Sequence, residues 1–295
     1  MLFIYFFRGF CYRSREGWIL INDLAWIGLI EALRLIMIGI LDSGMGGLIT
    51  ARALRQEWPA EDIVYFGDTA RAPYGNKSLE VIRNFAADGA AFLQAQGAGL
   101  IVVACHTIAG VAGQHLAAAM GVPVVDGIVP AVERAVSVSK KGWVGIIGSP
   151  ALAESGRYPE IISHLAPQTR LFFANCPLLV PLINAGWIRK PESVMIVKKC
   201  LHSLKTRQID TLILANPYFG ILKRIIQRKI GRRVTLVDPT ETLVDKLRHI
   251  ISASKDRISA NDDAHRLACW VTDLSAESSR MAPILYGKNV SLKQV

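Results

Sequence analysis

The sequence predicts an α/β protein with largely parallel sheets, and three observations predict it. Short apolar runs recur along the chain, helical patterns separate most of them, and the runs end in small or polar residues. Strands alternating with helices need crossover connections, which place helices over the faces of a parallel sheet. In open α/β sheets ligands bind outside the carboxyl ends of strands, so the run ends are where function is sought.

Taken in order, the strands fall at MIGILDS (37–43), DIVYFGD (62–68), GLIVVACHT (99–107), VPVVDG (122–127), WVGIIGS (143–149), RLFFANC (170–176), TLILANP (211–217) and RVTLVDP (233–239). Each is a short apolar run, as a strand buried on both faces should be. LITARALRQEW and SVMIVKKCLHSLK carry apolar residues at helical spacing. The stretch between Asp88 and Asp126 is free of charge, but its glycines, glutamines, histidines and Pro123 divide it into helix, strand, loop and helix. That pattern excludes a membrane span there.

Residues 1–36 are apolar, yet Arg8, Arg13, Arg15, Glu16, Asp23, Glu31 and Arg34 interrupt every run. No run reaches the roughly 18 residues that a membrane span needs. The segment also lacks the basic start and small-residue cleavage site of a signal peptide. A second methionine, Met37, directly precedes the first clean strand. The segment is therefore expected to be a non-native or dispensable extension, with an interfacial or partner-binding helix as the alternative.

A chain of 295 residues that is 51% hydrophobic has ample material for one large domain or two smaller ones. The five cysteines, Cys11, Cys105, Cys176, Cys200 and Cys269, are odd in number, scattered and free of any CxxC pair. They suggest neither a disulfide framework nor a metal site, and favour a reducing, cytoplasmic setting. The net charge of +10 is densest in LKRIIQRKIGRR (222–233). There Lys223, Arg224, Arg228 and Lys229 alternate with apolar pairs, the pattern of an amphipathic helix with a solvated basic face. No nucleic-acid module accompanies the charge, so a nucleic-acid partner is disfavoured.

Three segments carry candidate chemistry. In LIVVACHTIAG (100–110) an aliphatic strand stops at Cys105, His106 and Thr107, where Cys105 is either a small core residue or a reactive thiol. DSGMGGL (42–48) follows a strand and opens a helix, so its glycines permit a tight turn and free N–H groups there can hold a carboxylate. It matches neither GxGxxG nor a Walker loop, which disfavours a nucleotide. YFGDTARAPYGNKS (65–78) is a polar loop whose Pro73–Tyr74–Gly75 turn can present backbone donors beside Ser78. A faint internal echo relates GAGLIVVACHT to QIDTLILANPY and sets Cys105 in register with Asn216. Two similar halves would then face each other across a cleft with those residues on opposite walls.

IGILDSGMGGL, YFGDTARAPYGNKS and VVACHT, in this order and spacing, resemble the signature blocks of the glutamate racemases, cofactor-independent enzymes of the aspartate/glutamate racemase group. GSPALAESGRY (148–158), CPLLVPLINAG (176–186) and LVDPTET (236–242) extend the similarity over about residues 37–285. The resemblance implies two doubly wound, pseudo-symmetric α/β lobes with parallel-type sheets and a cleft between them. The first lobe would comprise residues 37–130 plus 238–295, the second residues 131–237. It implies interconversion of L- and D-glutamate for peptidoglycan synthesis in the cytoplasm, with no cofactor, no metal and no membrane partner, and leaves a homodimer open.

Racemisation removes the α-proton from one face and returns a proton to the other, so two acid/base groups must flank the α-carbon. The family uses two cysteines. By resemblance Cys105 is the first, acting on the D-enantiomer, and its thiol needs only modest stabilisation from an ordinary pKa near ~8.5 to serve at neutral pH. Asp42 would assist the thiol and share in substrate binding with Ser43. Pro73, Tyr74, Gly75, His106, Thr107 and Pro217 fall at further substrate-binding positions.

The family's second block reads Gly-Cys-Thr-His-Tyr-Pro, and here the strand runs into Ala215, Asn216, Pro217, Tyr218, Phe219 and Gly220. Asn216 takes the place of the second cysteine, Pro217 that of a substrate-binding threonine, and Tyr218 that of an assisting histidine. Asn184 stands for a glutamate and His106 for an asparagine. A carboxamide has no pKa near neutrality, so Asn216 can hydrogen-bond without exchanging the proton. Core packing is the expected role of Cys176, Cys200 and Cys269, Cys176 matching the family's non-catalytic Cys-Pro position. The expectation is a glutamate racemase-like protein with impaired catalysis. The alternatives are an active racemase with an unrecognised second acid/base, and a one-cysteine decarboxylase or lyase that protonates a carbanion from one face.

Overall fold

The structure, a computed structural model, describes residues 10–14, 17–21, 37–252, 266–288 and 290–295. The first described elements are β1 (Phe10–Ser14) and β2 (Gly17–Ile21), an antiparallel pair within the segment expected to be an extension. The remainder of residues 1–36 lies outside the described residues.

The larger sheet is built on β3 (Ile38–Asp42), β4 (Ile63–Gly67), β5 (Leu100–Val103) and β6 (Val124–Asp126). Every residue of β3, β4 and β5 is buried. That is why these strands read as unbroken apolar runs rather than as alternations. The helices between them bury one stripe each: α1 (Gly47–Glu57) through Leu48, Ala51 and Leu54, α2 (Leu79–Ala95) through Ile82, Ala86, Ala90 and Leu93. Ser78 does not join the substrate turn; its hydroxyl caps α2 by accepting the Val81 N–H at 3.4 Å. α3 (His106–Ala119) starts directly after Cys105, and α4 (Ile128–Val138) follows β6.

The smaller sheet contains β7 (Trp143–Gly148), β8 (Arg170–Asn175), β9 (Thr211–Leu214) and β10 (Thr235–Val237). Its helices include α5 (Pro150–Glu154), α6 (Arg157–Leu165), α7 (Leu179–Asn184), α8 (Pro191–Thr206) and α9 (Lys223–Ile230). In α9 the pattern of LKRIIQRKI is realised: Ile225, Ile226 and Ile230 are buried while Arg224 and Arg228 stay exposed.

All eight strands expected after Met37 are present, and both main sheets are parallel throughout. The larger sheet holds two strands more. After α10 (Pro239–Ser252) the chain returns to it as β11 (Leu267–Val271) beside β4, then α11 (Ala276–Leu285), then β12 (Leu292–Gln294) at the edge. These two escaped the sequence reading because β11 is broken by the half-buried Leu267 and Trp270 and β12 carries the polar residues Lys293 and Gln294.

Strand order supports the internal echo. The larger sheet runs β12-β11-β4-β3-β5-β6 and the smaller β10-β9-β7-β8. Matching β3, β4, β5 and β6 to β7, β8, β9 and β10 gives one order for both, with β5 equivalent to β9. The result is the two-lobed, doubly wound architecture, and Cys105 and Asn216 follow equivalent strands.

One expectation is overturned. Cys176 and Cys200 are joined as a disulfide across 24 residues. Cys176 follows β8 and Cys200 lies on α8, which packs against β8, so side chains distant in sequence meet at that contact. Cys105 and Cys269 are free and buried.

Candidate active site

The carboxyl ends of both sheets open on one cavity of about 360 Å³. From the first lobe it is lined by Asp42 and Ser43, by Pro73, Tyr74 and Gly75, and by Cys105 and Thr107. From the second come Ser149, Cys176, Asn184, Asn216, Pro217 and Tyr218.

Cys105 is the last residue before α3, where a chain leaving a strand places its side chain at the sheet's carboxyl end. Its Sγ lies 3.0 Å from the Ser43 hydroxyl. Burial pushes the thiol pKa up from its ordinary value and the nearby Asp42 charge adds to this. The Ser43 hydroxyl and the N–H groups of Ile108 and Thr107 pull the other way without cancelling the rise. The expectation of a thiol needing only modest help at neutral pH is thus opposed by its surroundings.

Asp42 ends β3 and is buried. Its Oδ2 accepts the Gly47 N–H at 2.9 Å and the Tyr65 hydroxyl at 3.2 Å. Desolvation raises its pKa despite these donors. The substrate turn is held by Asp68, which accepts from the Tyr74 hydroxyl, from Arg71 Nε at 2.5 Å and from the Thr272 hydroxyl at 2.8 Å. A carboxylate with three donors locks the 73–75 turn to the strand ends. Gly75 is needed where it stands, because a Cβ there would lie 2.6 Å from Ser149 Cβ in the opposite lobe.

The second wall is built differently. Asn216 follows β9 and directly precedes the 3₁₀ turn Pro217–Leu222, and its side-chain oxygen accepts the Tyr218 N–H at 2.9 Å. Asn216 therefore acts as a cap, the role its side chain performs best. The Tyr218 ring lies against Gly46, where a Cβ would come within 2.8 Å of it. The Tyr218 hydroxyl and Asn184 Oδ1 are buried without a hydrogen-bond partner among the described residues. Desolvation raises the Tyr218 phenol far above its ordinary range, so it is a donor and not a base.

His106 is the one substrate-binding candidate that the cavity does not include. As the first residue of α3 it is turned into the lobe, where its Nδ1 pairs with the Tyr158 hydroxyl at 2.8 Å. Burial lowers its pKa to about 3, so it stays neutral. Ser149 was missed by the sequence reading. It hydrogen-bonds Thr107 across the cleft at 2.8 Å. The echo held the signal, since Ser149 follows β7 as Ser43 follows β3.

Fold and site define a class: two parallel α/β lobes of like topology with a cysteine thiol in the cavity between them. The Asp/Glu/Hydantoin racemase family profile matches residues 49–247, and the chain belongs to that family. Among its relatives, the glutamate racemase of Syntrophus aciditrophicus is 41% identical over 208 residues, 70% of this chain and 77% of that one. The glutamate racemase of Persephonella marina is 34% identical over 88% of this chain and 96% of its own length. Of the solved structures, a glutamate racemase isoform from Bacillus anthracis superimposes with a TM-score of 0.83 at 29% identity, covering 89% of this chain and 98% of that one. The Francisella tularensis glutamate racemase in complex with D-glutamate gives 0.81 at 30% identity, over 88% and 97%. The chain is glutamate racemase-like over most of its length.

Proposed function

We propose that this protein binds glutamate in the cleft and exchanges the α-proton of the D-enantiomer through Cys105, with little or no racemisation. The observation that carries the reading is the asymmetry of the walls: a free thiol on one, a carboxamide committed to a cap on the other. The Francisella tularensis relative was solved with D-glutamate, which supports the ligand class. The family role is cofactor-independent supply of D-glutamate for peptidoglycan in the cytoplasm, and this chain keeps only the first half of that chemistry. No helix among the described residues is long and apolar enough to cross a membrane.

In the proposed step the Cys105 thiolate takes the α-proton. The C–H bond breaks, an S–H bond forms, and the electron pair moves into the substrate's carboxylate system. The Thr107 hydroxyl and the turn at Tyr74 and Gly75 hold the substrate carboxylates, and the Asp42 carboxylate faces the ammonium. With Asn216 opposite, the proton returns from Cys105 to the face it left. If the thiol has exchanged with D₂O, the product is deuterated glutamate of unchanged configuration.

The test is ¹H NMR of each enantiomer in D₂O with polarimetry in parallel. Exchange on D-glutamate with configuration retained, abolished in Cys105→Ser, is expected. Net inversion of either enantiomer by the unaltered protein would instead establish a second acid/base and refute the reading. A repaired wall, Ala215→Gly, Asn216→Cys, Pro217→Thr and Tyr218→His with Asn184→Glu, should raise racemisation above the parent.

A further inference from the structure

The opposite end of the second lobe carries a feature unrelated to glutamate. Residues 131–237 hold 17 Lys and Arg against five Asp and Glu, while the rest of the chain holds 17 against 19. The whole positive excess of the protein therefore sits in one lobe. Part of it gathers at the amino ends of the smaller sheet, away from the cleft by the length of β7, roughly 20 Å.

Backbone contacts fix that end. Arg170 N–H donates to Gly142 O at 2.7 Å, Lys141 N–H to Asp210 Oδ2 at 2.6 Å, and Thr235 N–H to Asp210 O at 2.8 Å. Arg233, Lys141 and Arg170 thus precede or start three of the four strands, a row about 15 Å wide at ordinary strand spacing. Arg207, just past the end of α8, lines with Arg170, Trp143 and Phe172 an open cavity of about 500 Å³ at this end. All four cations are exposed, and none makes an ion pair within 4.0 Å among the described residues. Asp210, the acid at this end, is spent on the Ser139 hydroxyl and the Lys141 N–H at 2.6 Å each.

Two aromatic rings lie among these charges. Arg170 stands over Trp143 at 5.5 Å, Lys141 over the same ring at 5.9 Å, and Arg207 over Phe172 at 5.6 Å. We infer that this face binds single-stranded nucleic acid, the rings and guanidinium planes stacking on bases and the row of cations tracking phosphates. A membrane surface fits less well, because an interfacial site needs apolar side chains to insert. Among the described residues the exposed large hydrophobic side chains lie elsewhere, at Leu178, Trp187, Met195, Leu274, Ile284 and Val295. The row is made by the starts of strands and the end of a helix rather than by one helix face, an arrangement suited to unpaired bases that can reach the rings. The sequence alone hid this because the cations come from separate segments and meet only in the folded sheet. The inference stands whether or not Cys105 exchanges protons.

The test is fluorescence anisotropy of a labelled oligothymidine of about 12 nucleotides with the full chain. Micromolar binding at about 50 mM salt is expected, weakening about 20-fold by 200 mM if three phosphates are neutralised. Arg170→Glu with Arg207→Glu should weaken binding at least tenfold. Arg189→Glu with Lys190→Glu, the same charge change at the other end of α8, should leave it within about twofold. Circular dichroism of each variant separates these effects from misfolding. Equal losses in both pairs, no binding at low salt, or capture by anionic phosphatidylglycerol vesicles in preference to the oligonucleotide would each overturn the inference.

Discussion

The pH dependence of exchange on D-glutamate follows from the surroundings of Cys105. The base is the thiolate, so the rate tracks the ionised fraction of a thiol whose pKa is raised above its ordinary value, held up by burial first and by the Asp42 charge second. With its pKa pushed up, only a minor fraction of the thiol is thiolate at neutral pH, and each further tenfold loss of thiolate corresponds to about 1.4 kcal/mol. The exchange rate should therefore climb about tenfold per pH unit through neutrality, with no plateau until the pH passes the ordinary thiol value. Asp42→Asn removes one of the two causes that raise the pKa and should move the rising limb to lower pH. The same substitution deletes the negative charge facing the substrate ammonium, so KM should rise while the limb moves. Loss of the α-proton signal in D₂O, followed across pD with Cys105→Ser as the blank, measures both effects. A rate independent of pH between about 6 and 8, or a plateau below the ordinary thiol range, would refute the assignment of Cys105 thiolate as the base.

Three other outcomes are expected. His106 is buried neutral with its pKa lowered to about 3, so the unfolded chain binds the extra proton first; stability should fall as pH drops from 6.5 toward 3. The slope is about 1.4 kcal/mol per pH unit, up to about 5 kcal/mol in all, and chemical denaturation of His106→Asn should lack that component. Thiol titration of the denatured, non-reduced protein should give three groups per chain, Cys11, Cys105 and Cys269, since Cys176 and Cys200 are paired; five would show the pair reduced. A chain starting at Met37 should melt as cooperatively as the whole, because the first fully buried strand begins at Ile38; loss of soluble protein would show that residues 1–36 belong to the fold.

The fold was legible where burial is two-sided. Runs such as LIVV and TLIL have no polar face to blur them, and the helices between them repeat apolar residues at the required spacing. β11 and β12 were not legible, since β11 is interrupted by the half-buried Leu267 and Trp270 and β12 is polar and largely exposed, and their pairing beside β4 is a long-range contact that leaves no local trace. The cleft residues followed from the resemblance to the family's motif blocks, and the parallel sheet explains why they meet: strand ends gather at one edge wherever they fall in the chain. Side-chain direction did not follow. His106 and Thr107 are neighbours, yet helical geometry turns one toward Tyr158 and the other toward Ser149. The Cys176–Cys200 pair was invisible for a related reason: spacing says nothing about which helix face meets which strand.

Asn216 shows how sequence and structure bear on one residue from two sides. Sequence alone says that a carboxamide cannot exchange a proton; the structure adds what holds it in place. Its oxygen caps the turn that begins with Pro217, a residue with no N–H to offer, so the cap bonds to the next amide, that of Tyr218. Tyr218 in turn is fitted to Gly46, at the root of the turn that carries Asp42 and Ser43. Asn216, Pro217 and Tyr218 thus form one packed unit and not three independent losses. Asn216→Cys alone would remove the cap, at a cost of about 1 kcal/mol, while leaving Pro217 and Tyr218 shaped for the turn they now make. Restoring a thiol to that wall therefore requires the neighbouring residues to change with it.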